Sequence, residues 1–288
     1  MTRSDLADVP MTWSALKMMS LCPAKVRHVA LQADGGETSL AMRMGSGVHA
    51  ISFGTPPVVV YEERRAGKAW EAFKAGADAG GVLVLNAREH AVASAIAAAL
   101  HNDPVAAPLL FGPGVLHEQP MAWAVGGRAY RTRGIDFIRP GHWIGELKVA
   151  RTAQPGRFER DQLRALYPAQ VELYDEGEAI VTGRDRDRHP VAKYIVAVEP
   201  TAPYVVTTYV LAPSAIRQAV RTIGMYRSQL ATCEAANVWP GYALSAVPFE
   251  VEESPFEEVE DDEFAADAGP FVSATGGDFD SETVSPNF

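Results

Sequence analysis

Three short apolar segments between residues 115 and 150 constrain the fold more than any other feature of this sequence. They read VLHEQPMAWAV, RAYRTRGIDFI and HWIGELKVA, and they are separated by Gly126-Gly127 and Pro140-Gly141. Short segments rich in β-branched and aromatic residues, bounded by glycine and proline, are typical of strands joined by tight turns. The pattern therefore predicts a three-stranded antiparallel meander.

Helical patterns precede the predicted meander. A short helix runs through Met19 and can be capped by Thr12 or Ser14, and a second helix within residues 37–54 carries His49 near its end. Another helix fits residues 62–76, and a further one begins at Asn86, where Glu89 stands three positions later and completes a capping box.

The segments after the meander alternate between helix and strand patterns. A helix is predicted within residues 157–177, and Pro168 either kinks it or opens its second half. Two strands within 193–212 form a hairpin, and a long helix runs from Ser214 to about Ala236. The order of elements predicts a mixed α/β fold with a central mixed sheet flanked by helices.

The charge is distributed unevenly along the chain. Of 36 acidic residues, 13 lie in residues 250–288, which contain no lysine or arginine, so residues 1–249 carry 26 basic against 23 acidic residues. The end of the chain lacks hydrophobic periodicity and is rich in Gly, Ser and Pro. We therefore predict one domain over residues 1–248, followed by an acidic, disordered C-terminal tail over residues 249–288.

Several classes of protein are disfavoured by the composition. No apolar run approaches 18 residues and the N-terminus has no continuous apolar region, which favours a cytoplasmic protein with no membrane partner. Cys22 and Cys233 are too few for a disulfide framework or a four-cysteine metal site.

Charged residues interrupt the predicted strands. Glu146 and Lys148 stand two residues apart, so they project from the same face of a strand, and Asp136 on the preceding strand can lie opposite or diagonal to Glu146. Glu118, one strand earlier, can supply a third carboxylate. A single E-x-K triplet is equally consistent with a cross-strand salt bridge on an exposed face.

The helix after the meander carries a polar face. Tyr167, Gln170 and Tyr174 form a Y-x-x-Q-x-x-x-Y pattern whose spacing places all three on one side of the helix. The loop GRDRDRH that follows alternates in sign and is interpreted as a solvated, self-neutralising turn.

Taken together, these motifs resemble the PD-(D/E)xK nuclease superfamily. The ordered set is G-x-x-x-H (Gly45 to His49), Glu118, R-G-x-D (Arg133 to Asp136), E-x-K (Glu146 to Lys148) and the Y-x-x-Q-x-x-x-Y pattern. Within the superfamily, the chain most resembles the exodeoxyribonuclease VIII type of phage recombination exonuclease. Glu146 stands where that group often has Asp, and the iron-sulfur cysteines of some relatives are missing, so no iron-sulfur cluster is expected.

The residue types also fit the chemistry of phosphodiester hydrolysis. Hard oxygen ligands select Mg²⁺, or Mn²⁺, and Asp136 and Glu146 are the predicted ligands, with the backbone carbonyl of Leu147 as a further oxygen. Glu118 is predicted to be an outer or second-metal ligand. Lys148 would orient the attacking water and offset charge on the phosphate.

The resemblance extends to further residues. It implies that Gln170 helps to position Lys148 and the scissile strand, and that Tyr174 supports the same helix face. His49 is either a second-metal ligand or a packed histidine near a helix end, and both interpretations stay open. Arg128, Arg131 and Arg133 are predicted to share the face of the Asp136 strand, which suits either phosphate contact or pairing with surrounding acids. Arg133 and Arg131 are the predicted DNA contacts, together with Gln170.

The leading hypothesis is a Mg²⁺-dependent exonuclease that acts on double-stranded DNA ends. The resemblance implies 5′ to 3′ resection for phage-type recombination in a bacterial host cell, a ring-like homo-oligomer and a single-strand annealing protein as partner. The alternatives are an endonuclease on the same core, of the restriction or junction-cleaving type, and a catalytically silent DNA-end binding protein.

Overall fold

The structure, a computed structural model, describes residues 6–32, 40–243 and 245–249. Contacts within the chain divide it into two units, Met1–Leu244 and Ser245–Phe288. From residue 250 onward the acidic tail lies outside the described residues, so its predicted disorder and its boundary at residue 249 stay predictions. None of the described helices is both long enough and apolar enough to cross a membrane.

Helices and strands alternate along the described residues. The α-helices are α1 (Trp13–Leu16), α2 (Pro23–Leu31), α3 (Leu40–Phe53), α4 (Gly67–Ala79), α5 (Ala87–Asn102), α6 (Ala106–Phe111), α7 (Arg157–Ala165), α8 (Tyr167–Thr182) and α9 (Pro213–Ala236). The strands are β1 (Val58–Val60), β2 (Leu83–Leu85), β3 (Leu116–His117), β4 (Met121–Val125), β5 (Arg128–Thr132), β6 (Phe137–Arg139), β7 (Trp143–Val149), β8 (Ala192–Val198) and β9 (Val206–Val210).

The main sheet has five strands in the order β3-β6-β7-β8-β9. Strands β7 and β8 run parallel, whereas the other neighbouring pairs are antiparallel. The parallel pair needs a long crossover, which α7 and α8 provide. The predicted mixed α/β fold with a central mixed sheet is confirmed.

The predicted three-stranded meander is wrong in one respect. Strands β4 and β5 pair with each other in a separate two-stranded sheet, and Met11 forms an isolated parallel bridge with Tyr130 of β5. The predicted strand over residues 128–138 is interrupted after Thr132. The cause is a local distortion. Glu118 adopts a left-handed φ of 48°, and a Cβ added to Gly134 would lie 2.6 Å from Glu118 Oε2, so glycine permits the close approach.

Side chains of the central strands alternate between two apolar cores. Ile144 and Ile195 point toward the core formed with α1, α8 and α9, whereas Leu147 and Val196 point toward the core formed with α3, α5 and α6. Full burial of one such aliphatic side chain stabilises the fold by about 1.5–3 kcal/mol. The strands are therefore covered on both faces, and polar side chains between them need partners.

Local signals in the sequence account for several helix ends. The side chain of Thr12 caps α1 by accepting from the backbone N–H of Ala15 at 3.2 Å, and the capping box at the start of α5 is present. Leu166 is left-handed, with φ 61°, and separates α7 from α8. Pro168 lies in the first turn of α8, so of the two predicted alternatives it opens a helix.

Candidate active site

The candidate active site lies where β6 begins and β7 ends. Phe137 pairs with Gly145, which places Asp136 across from Glu146 on the neighbouring strand. Lys148 follows two residues later and projects from the same face as Glu146. The convergence that the sequence predicts for these three residues is therefore present.

One ammonium group contacts both carboxylates. Lys148 Nζ lies 2.5 Å from Glu146 Oε2 and 3.7 Å from Asp136 Oδ2. The same Asp136 oxygen accepts a hydrogen bond from the backbone N–H of Leu147 at 2.7 Å. The two carboxylates therefore share one side of the sheet.

Two further side chains approach Asp136. His49, near the end of α3, lies with Nδ1 2.8 Å from Glu118 Oε1 and with Nε2 3.7 Å from Asp136 Oδ2. His49 Nε2 is also 3.2 Å from the carbonyl oxygen of Leu147. One potential ligand atom each from His49, Glu118 and Asp136 lie within 4.8 Å of one another, close enough for a single metal ion.

Helix α8 contributes the polar face that its spacing predicts. Gln170 Nε2 donates to Glu146 Oε2 at 2.8 Å and lies 3.4 Å from the hydroxyl oxygen of Tyr174. Lys148 Nζ stands over the Tyr167 ring, 4.9 Å from its centroid. Gln170 and Tyr167 therefore hold the Glu146 and Lys148 side chains from the helix side.

The site holds more negative than positive charge. Burial and the Asp136 charge raise the pKa of Glu146, although Lys148 opposes them. Burial alone would lower the pKa of Lys148, but the Glu146 and Asp136 carboxylates outweigh it and raise that pKa. Likewise, Asp136 and Glu118 overcome the effect of burial and raise the pKa of His49 to about 9. The raised pKa values of Glu146, Lys148 and His49 all favour the protonated forms, and a bound cation would offset the same negative charge.

A divalent cation fits these donors. The Glu146 side chain is 1% exposed, and its Oε1 atom is buried without a hydrogen-bond partner. An unsatisfied buried carboxylate oxygen is costly, and carboxylate and carbonyl oxygens are the preferred ligands of Mg²⁺ and Mn²⁺. Asp136, Glu118, the Leu147 carbonyl, Glu146 and, once its Nε2 proton is lost, His49 could supply ligands.

The arginines predicted to contact DNA are separated by the structure. Arg133 lines an open cavity of about 470 Å³ together with His49 and Glu118. Arg131 and Arg128 instead lie on β5, in the two-stranded sheet, because the chain leaves the main sheet at the Glu118 distortion. The expectation that they share a strand face with Asp136 is wrong, and Arg128 instead contacts the Val9 carbonyl and Glu234.

Phe53 supports His49 and was not identified from the sequence. Its ring meets the His49 ring edge to face, with centroids 5.5 Å apart, and it stacks on His117 at 4.5 Å. His117 Nε2 lies 2.6 Å from the Leu110 carbonyl, and His101 stacks on Phe111, so both histidines are held by contacts within the fold. The i, i+4 spacing of His49 and Phe53 on one helix is the signal that could have revealed their contact.

Comparison with known proteins identifies a family and similar solved structures. The model of a family described as "PDDEXK-like domain of unknown function (DUF3799)" matches residues 12–246. The chain also resembles the crystal structure of a "putative exonuclease" from Eubacterium rectale, with a TM-score of 0.59 and 16% sequence identity over 87% of this chain and 96% of that one. At that identity the likeness shows the fold alone. No curated protein sequence matches the chain.

Proposed function

The chain belongs to the PDDEXK-like family, and from that premise we propose that it is a divalent-metal-dependent exonuclease acting on the ends of double-stranded DNA. The observation that supports this most is the unsatisfied, buried Glu146 oxygen in a cluster of three acids that includes Asp136 and Glu118. A cluster kept only for stability would give each such oxygen a counterion. Glu172 Oε2, which is also buried without a hydrogen bond, has Lys193 Nζ at 3.4 Å. Mg²⁺ is the proposed metal, and Mn²⁺ fits the same oxygen donors.

The chain's residues divide the work of hydrolysis. When bound, a divalent ion supplies Lewis-acid activation of water and offsets negative charge on the phosphate. Lys148, held by Glu146 and the Tyr167 ring, is placed to orient the attacking water and to stabilise charge that develops on the phosphate. Gln170 orients the Glu146 carboxylate through its hydrogen bond to Oε2, and the Tyr174 hydroxyl accepts a further hydrogen bond from Gln170 Nε2. Arg133 would contact the backbone of the substrate at the cavity rim.

His49 receives a more definite role than the sequence allowed. Because its Nδ1 faces Glu118 and its Nε2 faces Leu147 O and Asp136, both ring nitrogens have acceptors when the imidazole is protonated. We propose that the imidazolium supplies positive charge when no metal is bound, and that Nε2 loses its proton when it becomes a ligand.

The finer parts of the proposal follow the exodeoxyribonuclease VIII resemblance. They are 5′ to 3′ polarity, a ring-like homo-oligomer that encloses DNA, a single-strand annealing protein as partner, and a role in phage-type recombination. Enclosure would supply the processivity that a body with only three more basic than acidic residues cannot supply by charge alone. Arg131, on β5 of the two-stranded sheet, stays a predicted DNA contact.

End-labelled substrates test the proposal. Linear duplexes labelled separately at the 5′ and the 3′ end are incubated with the full chain in Mg²⁺ or EDTA, beside a covalently closed plasmid. The proposal predicts early release of the 5′ label, gradual shortening of the 3′-labelled strand, an intact plasmid and no reaction in EDTA. Cleavage of the plasmid would favour the endonuclease alternative, and hydrolysis in EDTA would refute metal dependence.

A further inference from the structure

Two cations near Lys148, Lys17 and Arg151, have no partner within residues 6–32, 40–243 and 245–249. The Lys17 and Arg151 side chains make no salt bridge, hydrogen bond or cation–π contact among the residues that the structure describes. Many other cations of the chain are paired, for example Arg184 with Glu178 and Arg227 with Glu176. A cation kept unpaired beside another cation lacks a stabilising role, so its surroundings indicate what it could bind.

Lys17 is held near the catalytic lysine by the N-terminal segment. It follows α1 directly, in a 3-10 turn over Lys17–Ser20, while Leu16 beside it is fully buried in the core. Met11 anchors the start of this segment through backbone hydrogen bonds with Ala129 and Arg131, both at 2.9 Å. Burial, together with the charge of Lys148, lowers the pKa of Lys17. Leu16, Ala150 and Tyr167 pack in one apolar core, and Lys148 Nζ stands 4.9 Å from the Tyr167 ring centroid, so the turn and Lys148 adjoin the same core.

Arg151 is held near Lys148 by the chain itself. Arg151 follows Lys148 by three positions, so their Cα atoms cannot be more than about 11 Å apart. The loop around Arg151 is fixed: Ala150 N–H donates to the Val198 carbonyl at 2.9 Å, and Ala153 N–H donates to Glu199 Oε1 at 2.8 Å. Ala153 is fully buried, whereas the Arg151 side chain between these two anchors is exposed.

We propose that Lys17 and Arg151 bind backbone phosphates that neighbour the scissile one and hold the substrate strand against Lys148. The inference rests on the proposed function, because it takes DNA as the substrate. A polyanion would offset the positive charge of the three cations, and the hydrogen-bonded loop and the 3-10 turn beside buried Leu16 offer Arg151 and Lys17 at defined positions. Because these contacts are with phosphates that do not react, they set the affinity for DNA rather than the rate of the chemical step.

Salt-dependent binding tests the inference without hydrolysis. A fluorescent linear duplex is titrated with the full chain in Ca²⁺ at several NaCl concentrations, for the wild type and for a Lys17→Met/Arg151→Gln double variant. Each lost phosphate contact should reduce the slope of log K against log salt by about 0.9, so the double variant should lose about 2 in slope and about 10- to 100-fold in affinity at low salt.

A second double variant controls for net charge. Lys68→Met/Arg88→Gln removes one exposed lysine and one exposed arginine, also without partners among the described residues, at the starts of α4 and α5. We expect its salt slope to match that of the wild type. If both double variants keep the wild-type slope, or both lose it equally, the inference is overturned. Wild-type protein that binds DNA but never hydrolyses it would instead refute only the proposed function.

Thermal unfolding distinguishes a binding role for Lys17 from a structural one. Lys17→Met keeps the apolar stem and removes a repelled charge, so the DNA-free protein should melt at an equal or higher temperature, by about 1–2 °C. At saturating DNA, its hydrolysis rate should stay within about threefold of the wild type while KM rises about tenfold. A clear drop in Tm with unchanged DNA affinity would show that Lys17 is structural.

Discussion

Two clusters of buried charge lie between α8 and the main sheet, and they differ in balance. The α8 ion cluster has three acids and three cations: Glu172, Asp175, Glu178, Arg184, Arg186 and Lys193. The candidate active site also has three acids but only one lysine and a titratable histidine: Glu118, Asp136, Glu146, Lys148 and His49. One cluster is neutral when fully ionised, and the other is short of positive charge.

The pKa shifts of the buried acids show what this difference means. Burial alone would raise the pKa of Asp175, but Lys193, Arg186 and Arg184 outweigh burial and lower it. Burial also raises the pKa of Glu146, and there Asp136 adds to the rise while Lys148 only partly opposes it. Comparable burial therefore gives opposite shifts. These opposite shifts support a structural role for the α8 ion cluster, and they support the proposal that the candidate site binds an added cation.

The largest expected effect is on catalysis, through Asp136. Asp136→Asn keeps the side-chain shape but removes a metal-binding charge, so hydrolysis should fall by at least about 10³-fold. Because the variant removes one of three crowded acids, the metal-free protein should keep or gain stability. Rates with Mg²⁺ and a chemical unfolding curve check both parts. A variant that loses activity and stability together would place Asp136 with the structural cluster.

A substitution of Asp175 is expected to lower stability while leaving the catalytic rate unchanged. Asp175→Ala leaves Arg184, Arg186 and Lys193 short of a buried partner, and breaking a buried ion pair in this way costs about 3–5 kcal/mol. Urea unfolding measures the loss. The rate per folded molecule should stay near that of the wild type, which active-site titration at low temperature can establish. Unchanged stability would contradict the structural role of the α8 ion cluster.

Added divalent metal should stabilise the candidate site. At a Mg²⁺ concentration about 100 times its Kd, binding stabilises the folded state by about 2.7 kcal/mol, which should raise Tm by about 5–10 °C. The wild type should show this rise, and Asp136→Asn should not. Asp175→Ala, which melts lower, should show the same increment as the wild type. An equal rise in Asp136→Asn would mean that the metal binds elsewhere.

The smallest expected effect is a pH dependence through His49. Its pKa is raised from 6.5 to about 9 in the folded protein, so the stability that it contributes is fully present below pH 6.5 and is lost as the pH rises toward 9. Metal-free wild type should therefore lose about 1 kcal/mol more over that interval than His49→Gln. Unfolding curves in EDTA at several pH values measure it, and parallel losses in the two proteins would contradict the assignment.

Local periodicity explains why the sequence predicted so much of the site. Glu146 and Lys148 share a face because strands alternate, and Gln170 and Tyr174 share one because of helical spacing, so neither prediction needed the tertiary fold. The departure of β4 and β5 from the main sheet depends on Glu118 and Gly134 meeting across the chain, which no local pattern encodes.

The loop GRDRDRH illustrates the other limit of the sequence. Its Asp185 and Arg188 do pair within the loop, as a self-neutralising turn would. Arg184 and Arg186 instead reach buried acids on α8, so that part of the prediction is wrong. Acidic residues on a helix are normally interpreted as solvent-exposed. The sequence periodicity does not show that the sheet covers the acidic face of α8, so the partners of Arg184 and Arg186 could not be predicted.

A crystal of the full chain soaked in Mn²⁺ tests the central claim most directly, since anomalous scattering locates the ion without assuming its ligands. The account predicts a strong peak within about 2.2 Å of carboxylate oxygens of Asp136 and of at least one of Glu146 and Glu118, and none in the α8 ion cluster. A peak at Asp175 or Glu172, or no peak beside Asp136 at a concentration that supports hydrolysis, would contradict it.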